Sequence, residues 1–323
     1  MKTIKLMHAT LVAAAAGLNA MAHADTYPSR PIRVIVPFTT GSTTDLIARS
    51  VTERLNASLG QNLIIDNRAG AGGTIGAGIA AQALSDGYTV LVHSSSHTVN
   101  PAMYAKLPYD TLRDFSGITP LASLPNVLVI SPGKGIRSVK DLIAAAQAKP
   151  GSVNFASAGQ GSATHLNAEK FRLRAGIDAV HIPFKGSPEA LVDVMTGRVH
   201  YYFCPVAPAL PFVKDGRLLA LAVGSVKRSS ALPDVPTTVE AGVPGSDYNF
   251  WIGMLVPAKT PRAIVARLHQ DTLKALASPE VKKRYSDLGA DATPMAPEQF
   301  DATIRQELAA NKAIVEAAGL KAQ

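Results

Sequence analysis

The chain has 323 residues, 47% of them hydrophobic and 17% charged, and its length exceeds what one hydrophobic core usually serves, so two lobes are expected. The formal charge of +8 comes from scattered Lys and Arg with few aromatics and no basic stretch interleaved with them, which argues against nucleic-acid binding and is compatible with a small anionic partner or with ordinary solubility. The lone cysteine, Cys204, has no partner for an intramolecular disulfide and lies far from the N-terminus, against a lipid anchor there.

Lys2 and Lys5, the apolar stretch Thr10–Leu18 and the tripeptide Ala22-His-Ala24 ahead of Asp25 have the form of a cleaved secretory signal peptide over residues 1–24. The mature chain is then expected to begin at Asp25 with a charge of +6 once Lys2 and Lys5 are gone, in the periplasm. No later stretch approaches the roughly 18 uninterrupted apolar residues of a membrane span, so a soluble protein without direct membrane insertion is expected.

Ile32–Val36 predicts a buried first strand, and Ser42-Thr-Thr-Asp45 opens a helix that Leu46, Ile47, Val51 and Leu55 bury and Gly60 ends. Leu63–Ile65 is a second strand. The glycine-rich stretch from Arg68 to Gly73 leads into a helix of small residues ending near Asp86-Gly87, and Tyr88–Val92 is the third strand. Strands are then predicted at Val127–Ile130, Val153–Ala156, Ala179–Ile182, Val199–Phe203 and Leu219–Val223, with helices at Ser138–Ala148, Ser162–Ala175 and Ser187–Thr196 between them. In the last of these helices Ser187 is expected as N-cap, Pro188 as first helical residue and Gly197 as terminator. Trp251–Pro257 is a late strand, followed by helices Pro261–Ala277 and Pro297–Ala317. The alternation indicates βαβ units, and the late strand suggests a chain that leaves the first lobe, builds the second and returns.

Chemistry concentrates in four strand-to-helix turns rich in Gly, Ser and Thr: Phe38–Thr44, Ser94–His97, Ser157–Ser162 and Phe184–Ser187. Such turns gather at the carboxyl edge of a parallel sheet, where free N–H groups at helix starts and nearby hydroxyls can hold a carboxylate without a formal positive charge. Each Ser or Thr alone reads equally well as a cap, but four such turns together favour a site.

Enzyme patterns are poorly represented. Gly72-Gly-Thr-Ile-Gly76-Ala-Gly78 imitates a dinucleotide turn but follows the second strand, and no Tyr-x-x-x-Lys accompanies it. Phosphate-loop, zinc-protease and nucleophile-elbow motifs are absent from the sequence. Ser162 and His165 read better as a cap and a packed ring than as nucleophile and base. His93 and His97 have no neighbouring carboxylate or thiol to complete a metal site, and Cys204 reads as a small buried residue. No cofactor, metal or catalytic residue is expected.

With these residues in order, the chain resembles the substrate-binding proteins of tripartite tricarboxylate transporters, also called Bordetella uptake gene (Bug) proteins. The resemblance is carried by Tyr27–Phe38, Asp45–Arg49, Asp66–Gly76, Asp86–Leu91, Ser157–Leu166, His181–Ser187, Leu232–Thr237 with Glu240–Gly242, and Trp251-Ile-Gly253. It implies a type II periplasmic-binding-protein fold, an α/β architecture of two lobes with mostly parallel sheets joined by crossover segments. The lobes are expected at residues 25–125 with 248–323, and at 126–247.

The resemblance also implies a carboxylate gripped between the lobes, by Phe38, Thr40, Gly41, Ser42 and Thr43 with Ser94, Ser95 and His97 on one side. On the other side stand Ser157, Gly159, Gln160 and Ser162, with Phe184, Lys185, Phe203 and Cys204 completing the wall. Where relatives have Pro-Gly-Gly this chain has Thr40-Gly41-Ser42, and Cys204 and His200 stand where relatives often carry Asp. Loss of those acids disfavours amino-acid ligands and leans toward a dicarboxylate or, given Phe38, Tyr202 and Phe203, an aromatic acid. The implied partners of this monomer are the large and small membrane subunits of the transporter. A sensor role, docking on a membrane signalling protein such as a sensor kinase, is an alternative, and a periplasmic hydrolase a weaker one.

Overall fold

The structure, a computed structural model, describes residues 27–320. The signal-peptide segment and its cleavage site lie outside the described residues. Two five-stranded sheets carry the fold. The first contains β1 (Ile32–Val36), β2 (Leu63–Asn67), β3 (Thr89–Ser94), β4 (Phe115–Ser123) and β10 (Trp251–Pro257), ordered β2-β1-β3-β10-β4. The second contains β5 (Asn126–Ile130), β6 (Val153–Ser157), β7 (Ala179–Pro183), β8 (Tyr201–Pro205) and β9 (Leu219–Val223), ordered β7-β6-β8-β5-β9.

In each sheet one strand runs against its neighbours: β10 is antiparallel to β3 and β4, and β5 is antiparallel to β8 and β9. The remaining pairings, β2-β1-β3 and β7-β6-β8, are parallel, because each is made through a helical crossover. The chain passes from the first sheet to the second between Ser123 and Asn126 and returns between Val223 and Trp251. Where the two crossings meet they are stitched together: Leu124 N donates to Phe250 O at 3.2 Å and Ser123 Oγ to the same oxygen at 3.3 Å.

The helices of the first sheet are α1 (Thr43–Leu59), α2 (Thr74–Ala81) and α3 (Ser96–Met103); those of the second are α4 (Val139–Ala148), α5 (Ala163–Ala175), α6 (Ser187–Met195) and α7 (Val206–Lys214). Three more, α8 (Arg262–Ala277), α9 (Pro279–Leu288) and α10 (Pro297–Ala317), follow β10. Local chemistry fixes many ends. Ser42, Ser138 and Ser162 cap α1, α4 and α5, each accepting a backbone N–H three residues on, and Gly60 closes α1 in the left-handed conformation. The start of α6 differs from expectation: Gly186 is its N-cap and Ser187 already lies in its first turn, where its hydroxyl meets Tyr202 at 3.0 Å.

The second sheet packs its own core of Leu128, Phe155, Phe171, Tyr201 and Phe203. In the first, α10 returns to seat Phe300, fully buried, against Gly253 of β10 and edge-on to Trp251 at 5.1 Å between ring centroids. A Cβ on Gly253 would stand 2.4 Å from that ring, so only glycine lets the helix settle there. Burying a phenyl ring of this size stabilises the fold by about 1.5–3 kcal/mol. A third apolar cluster runs without interruption from Val34 and Ile47 through Leu124 to Val206 and Leu210, so the crossings pass through apolar packing shared by the two halves.

Candidate ligand-binding site

Five helices begin around one cavity. Thr43 and Thr44 in the first turn of α1, Ser96 at the start of α3, Thr164 in α5 and Ser187 in α6 all line it, together with the caps Ser42 and Ser162 and with Pro205 directly before α7. Ser94, Phe38, Ala158 and Phe250 complete its wall. Eight of the twelve lining residues carry a hydroxyl and none is charged. With no charged side chain in the lining, attraction for an anion would come from the backbone, each helix start carrying roughly half an elementary positive charge.

The first loop is held by a buried carboxylate. Asp45, 1% exposed, accepts from Gly41 N at 2.9 Å, from Asn67 Nδ2 at 3.1 Å and from Arg49 Nε at 3.0 Å, while Asn67 Nδ2 also donates to Phe38 O at 3.0 Å. Thr43 is buried and its Oγ1 has no hydrogen-bond partner among the described residues. In the turn after β3, Ser94 Oγ donates to Ser96 Oγ at 2.8 Å.

The loop from Ser157 to Ser162 is fixed from below. Ser157 Oγ accepts from Gly159 N at 3.0 Å and lies 2.6 Å from His181 Nε2; Thr164 Oγ1 accepts from Ala158 N at 2.9 Å, and His165 Nδ1 from Gly161 N. Burial, reinforced by the adjacent His165, lowers the His181 pKa to about 3, so the ring is neutral at ordinary pH. Burial likewise brings His97 down to about 3 and His93 well below its ordinary value.

Of the residues singled out from sequence, Phe38, Ser42, Thr43, Ser94 and Ser162 line the cavity. Gly41, Ser157, Gly159 and Gln160 belong to the loops behind or beside it, and Ser95 is tied by its amide to Trp251 O. The other placements depart from expectation. Thr40 is exposed and hydrogen-bonds Asn67, and Lys185 is exposed. Phe184 is half-buried beside the loop, its N–H donating to Ser157 O. His97 sits inside the first lobe between Tyr109 and Phe115.

Strand alternation sends Phe203 with Tyr201 to the far face of the second sheet, into its core, while Tyr202 and Cys204 point the other way. Cys204 is fully buried but does not line the cavity, and burial pushes its thiol well above the ordinary range. Two lining residues had escaped the sequence argument. Thr164 stands two places past a recognised cap, a signal that was available; Phe250 lies on the return crossing and carried none.

The lobes are in contact across this cavity. Gly72 of the first packs on Gln160–Gly161 of the second, where a Cβ would lie 2.1 Å from Gln160 O, and Thr39 Oγ1 donates to Glu189 at 3.3 Å. Two α/β lobes, two crossings and a hydroxyl-lined, uncharged cavity ringed by helix starts define a two-lobed binding protein.

The comparisons identify which one. The model of the tripartite tricarboxylate transporter family receptor matches residues 47–320, and the chain belongs to that family of solute-binding receptors. It is 38% identical to Protein BugT of Bordetella pertussis, over 95% of each chain. Among solved structures it is similar to Rpa4515 of R. palustris with adipate (32% identity, TM-score 0.89, covering 92% of this chain and 100% of that one). It is similar also to MatC of Rhodopseudomonas palustris with bound malate (31% identity, TM-score 0.86, covering 90% and 100%). No helix among the described residues is long and apolar enough to cross a membrane.

Proposed function

We propose that this protein is a periplasmic receptor that captures a small aliphatic dicarboxylate by closing its lobes and delivers it to the large and small membrane subunits of a tripartite transporter, without covalent chemistry. The observation that carries the reading is the convergence of five helix starts on a cavity with no charged side chain. Tyr202 and Phe203 lie outside its lining while Phe38 and Phe250 belong to it, so an aromatic acid stands as the second reading. Two family relatives hold adipate and malate. We take residues 123–126 and 247–251 as the hinge, so that the lobes comprise residues up to 125 with 248 onward, and 126–247.

A thermal-shift screen of the purified protein against mono-, di- and tricarboxylates, amino acids and sugars tests this, because a ligand that binds only the folded form raises the apparent midpoint by mass action. A dicarboxylate is expected to give the largest shift; a response confined to amino acids or sugars would refute the assignment. Thr43→Ala is expected to weaken that ligand about tenfold, the worth of one hydrogen bond to a charged group. The same change should leave the urea midpoint unchanged or slightly higher, since it deletes a buried hydroxyl that has no protein partner. A calorimetric titration showing undiminished affinity in Thr43→Ala would remove this residue from the site.

A further inference from the structure

We propose that Ser96 and Asn100 of α3, with Tyr104 at the cap that ends it, form the latch that keeps the lobes shut, and that the Asn100–Tyr104 part governs how long a ligand stays bound without choosing which ligand. The proposal rests on the receptor reading above. Ser96 and Asn100 are spaced by four, which places them on one side of the helix, and Tyr104 follows as its extended C-cap. Each makes a hydrogen bond to the second lobe, and their targets are crowded into one short stretch. Ala163 N donates to Ser96 Oγ at 2.8 Å, Asn100 Nδ2 donates to Gly161 O at 3.0 Å, and Tyr104 Oη donates to Gln160 O at 2.9 Å.

Asn100 is the centre of the device. It is fully buried, its Nδ2 also donates to Gly72 O at 3.2 Å in its own lobe, and its Oδ1 accepts from Tyr109 Oη at 3.0 Å. Two carbonyls and one hydroxyl thus fix which way the amide points, since only the NH₂ can serve the carbonyls. Separation of the lobes strips one of those donors of its partner. Gly161 must approach closely for this to happen: a Cβ there would lie 2.6 Å from the Tyr104 ring and 3.2 Å from Met103. The gripped stretch runs directly into Ser162 and Thr164, so engagement of the latch also sets the cavity's second wall.

Neither Asn100 nor Tyr104 lines the cavity. Their bonds to Gly161 O and Gln160 O span the two lobes and need them closed, so they stabilise the bound form after capture and should act on escape rather than on encounter. One cross-lobe bond is worth about fivefold. The effect should be the same factor for every ligand, unlike that of a residue touching the ligand.

Trp251, the single tryptophan, adjoins the return crossing and supplies a fluorescence signal for stopped-flow measurement. Succinate, malate and adipate serve as probes for wild type, Tyr104→Phe and Asn100→Ala. Tyr104→Phe, which keeps the ring packed on Gly161, is expected to raise koff about fivefold, and Asn100→Ala at least as much, with kon unchanged and one common factor across the probes that bind. An unchanged koff in Tyr104→Phe, or factors that differ from ligand to ligand, overturns the latch. The closed fraction of ligand-free protein, read by energy transfer between dyes on the two lobes, is expected to fall in both variants. If wild type binds none of the probes, the dicarboxylate reading fails on its own. This second measurement then decides the latch, which an equal closed fraction in all three proteins overturns.

Discussion

Gly72→Ala is expected to lower affinity for the captured dicarboxylate at least 100-fold, about 2.7 kcal/mol, while leaving the protein folded. The added Cβ would stand 2.1 Å from the Gln160 carbonyl oxygen and 3.0 Å from Ser162 N, both backbone atoms of the opposing lobe that cannot swing aside. Closure is blocked, and an occupant held mainly by closed-lobe contacts sees its apparent affinity fall with the closed fraction. A separate cost of about 1–2 kcal/mol comes from placing alanine at the Gly72 backbone, whose φ is +61°. Gly60→Ala supplies the control, because its φ is +67° and nothing lies within 4 Å of the added atom. Both variants should lose similar thermal stability, but only Gly72→Ala should lose binding by isothermal titration. Retained affinity in Gly72→Ala would mean that the ligand is bound with the lobes apart.

The parts of the molecule legible in the sequence are those specified by neighbours along the chain. Caps such as Ser42, Ser138 and Ser162, the left-handed Gly60 and the apolar run Ile32–Val36 act within a few residues, and the elements they bound were predicted accordingly. β4 was not predicted, because Gly117 and Pro120 interrupt it. It tolerates that proline as an edge strand whose register against β10 shifts nearby. Helix α3 was taken only for a turn: it opens with Ser96-His97-Thr98 and carries Pro101, and what holds it is burial against both lobes, not propensity. Helix α7, which carries Pro211 inside it, escaped for a related reason, whereas α9 escaped although the cap Ser278 and Pro279 mark its start. At the site, loops that are also helix starts could be read, since the same hydroxyls that cap a helix can meet an anion. The family resemblance puts Phe203 in the wall, whereas the period of two along β8 gives that direction to Tyr202 and Cys204. Phe250 is brought to the cavity by the return crossing, a tertiary event with no local signature.

Asp45→Ala is expected to cost about 2–3 kcal/mol of stability, because this first-turn residue of α1 holds the loop before it. The carboxylate is buried and serves three donors at once. Gly41 N, Asn67 Nδ2 and Arg49 Nε all lose their acceptor with it. Arg49, 47% exposed, turns to water and contributes little to the cost, so the penalty falls on the Gly41 amide and the Asn67 side chain. Asp45→Asn keeps an oxygen for one of these donors and should cost about half as much. Since Asn67 also holds Phe38 O, the loss should spread to the cavity wall and weaken binding as well. Asn67→Ala breaks the same network from its other end, so the double variant should be less destabilised than the two single losses added together, by at least about 0.5 kcal/mol. Urea unfolding of the four proteins measures this; strict additivity would show that Asp45 and Asn67 hold the loop independently, and that the segment from Phe38 to Thr43 is not positioned as one unit.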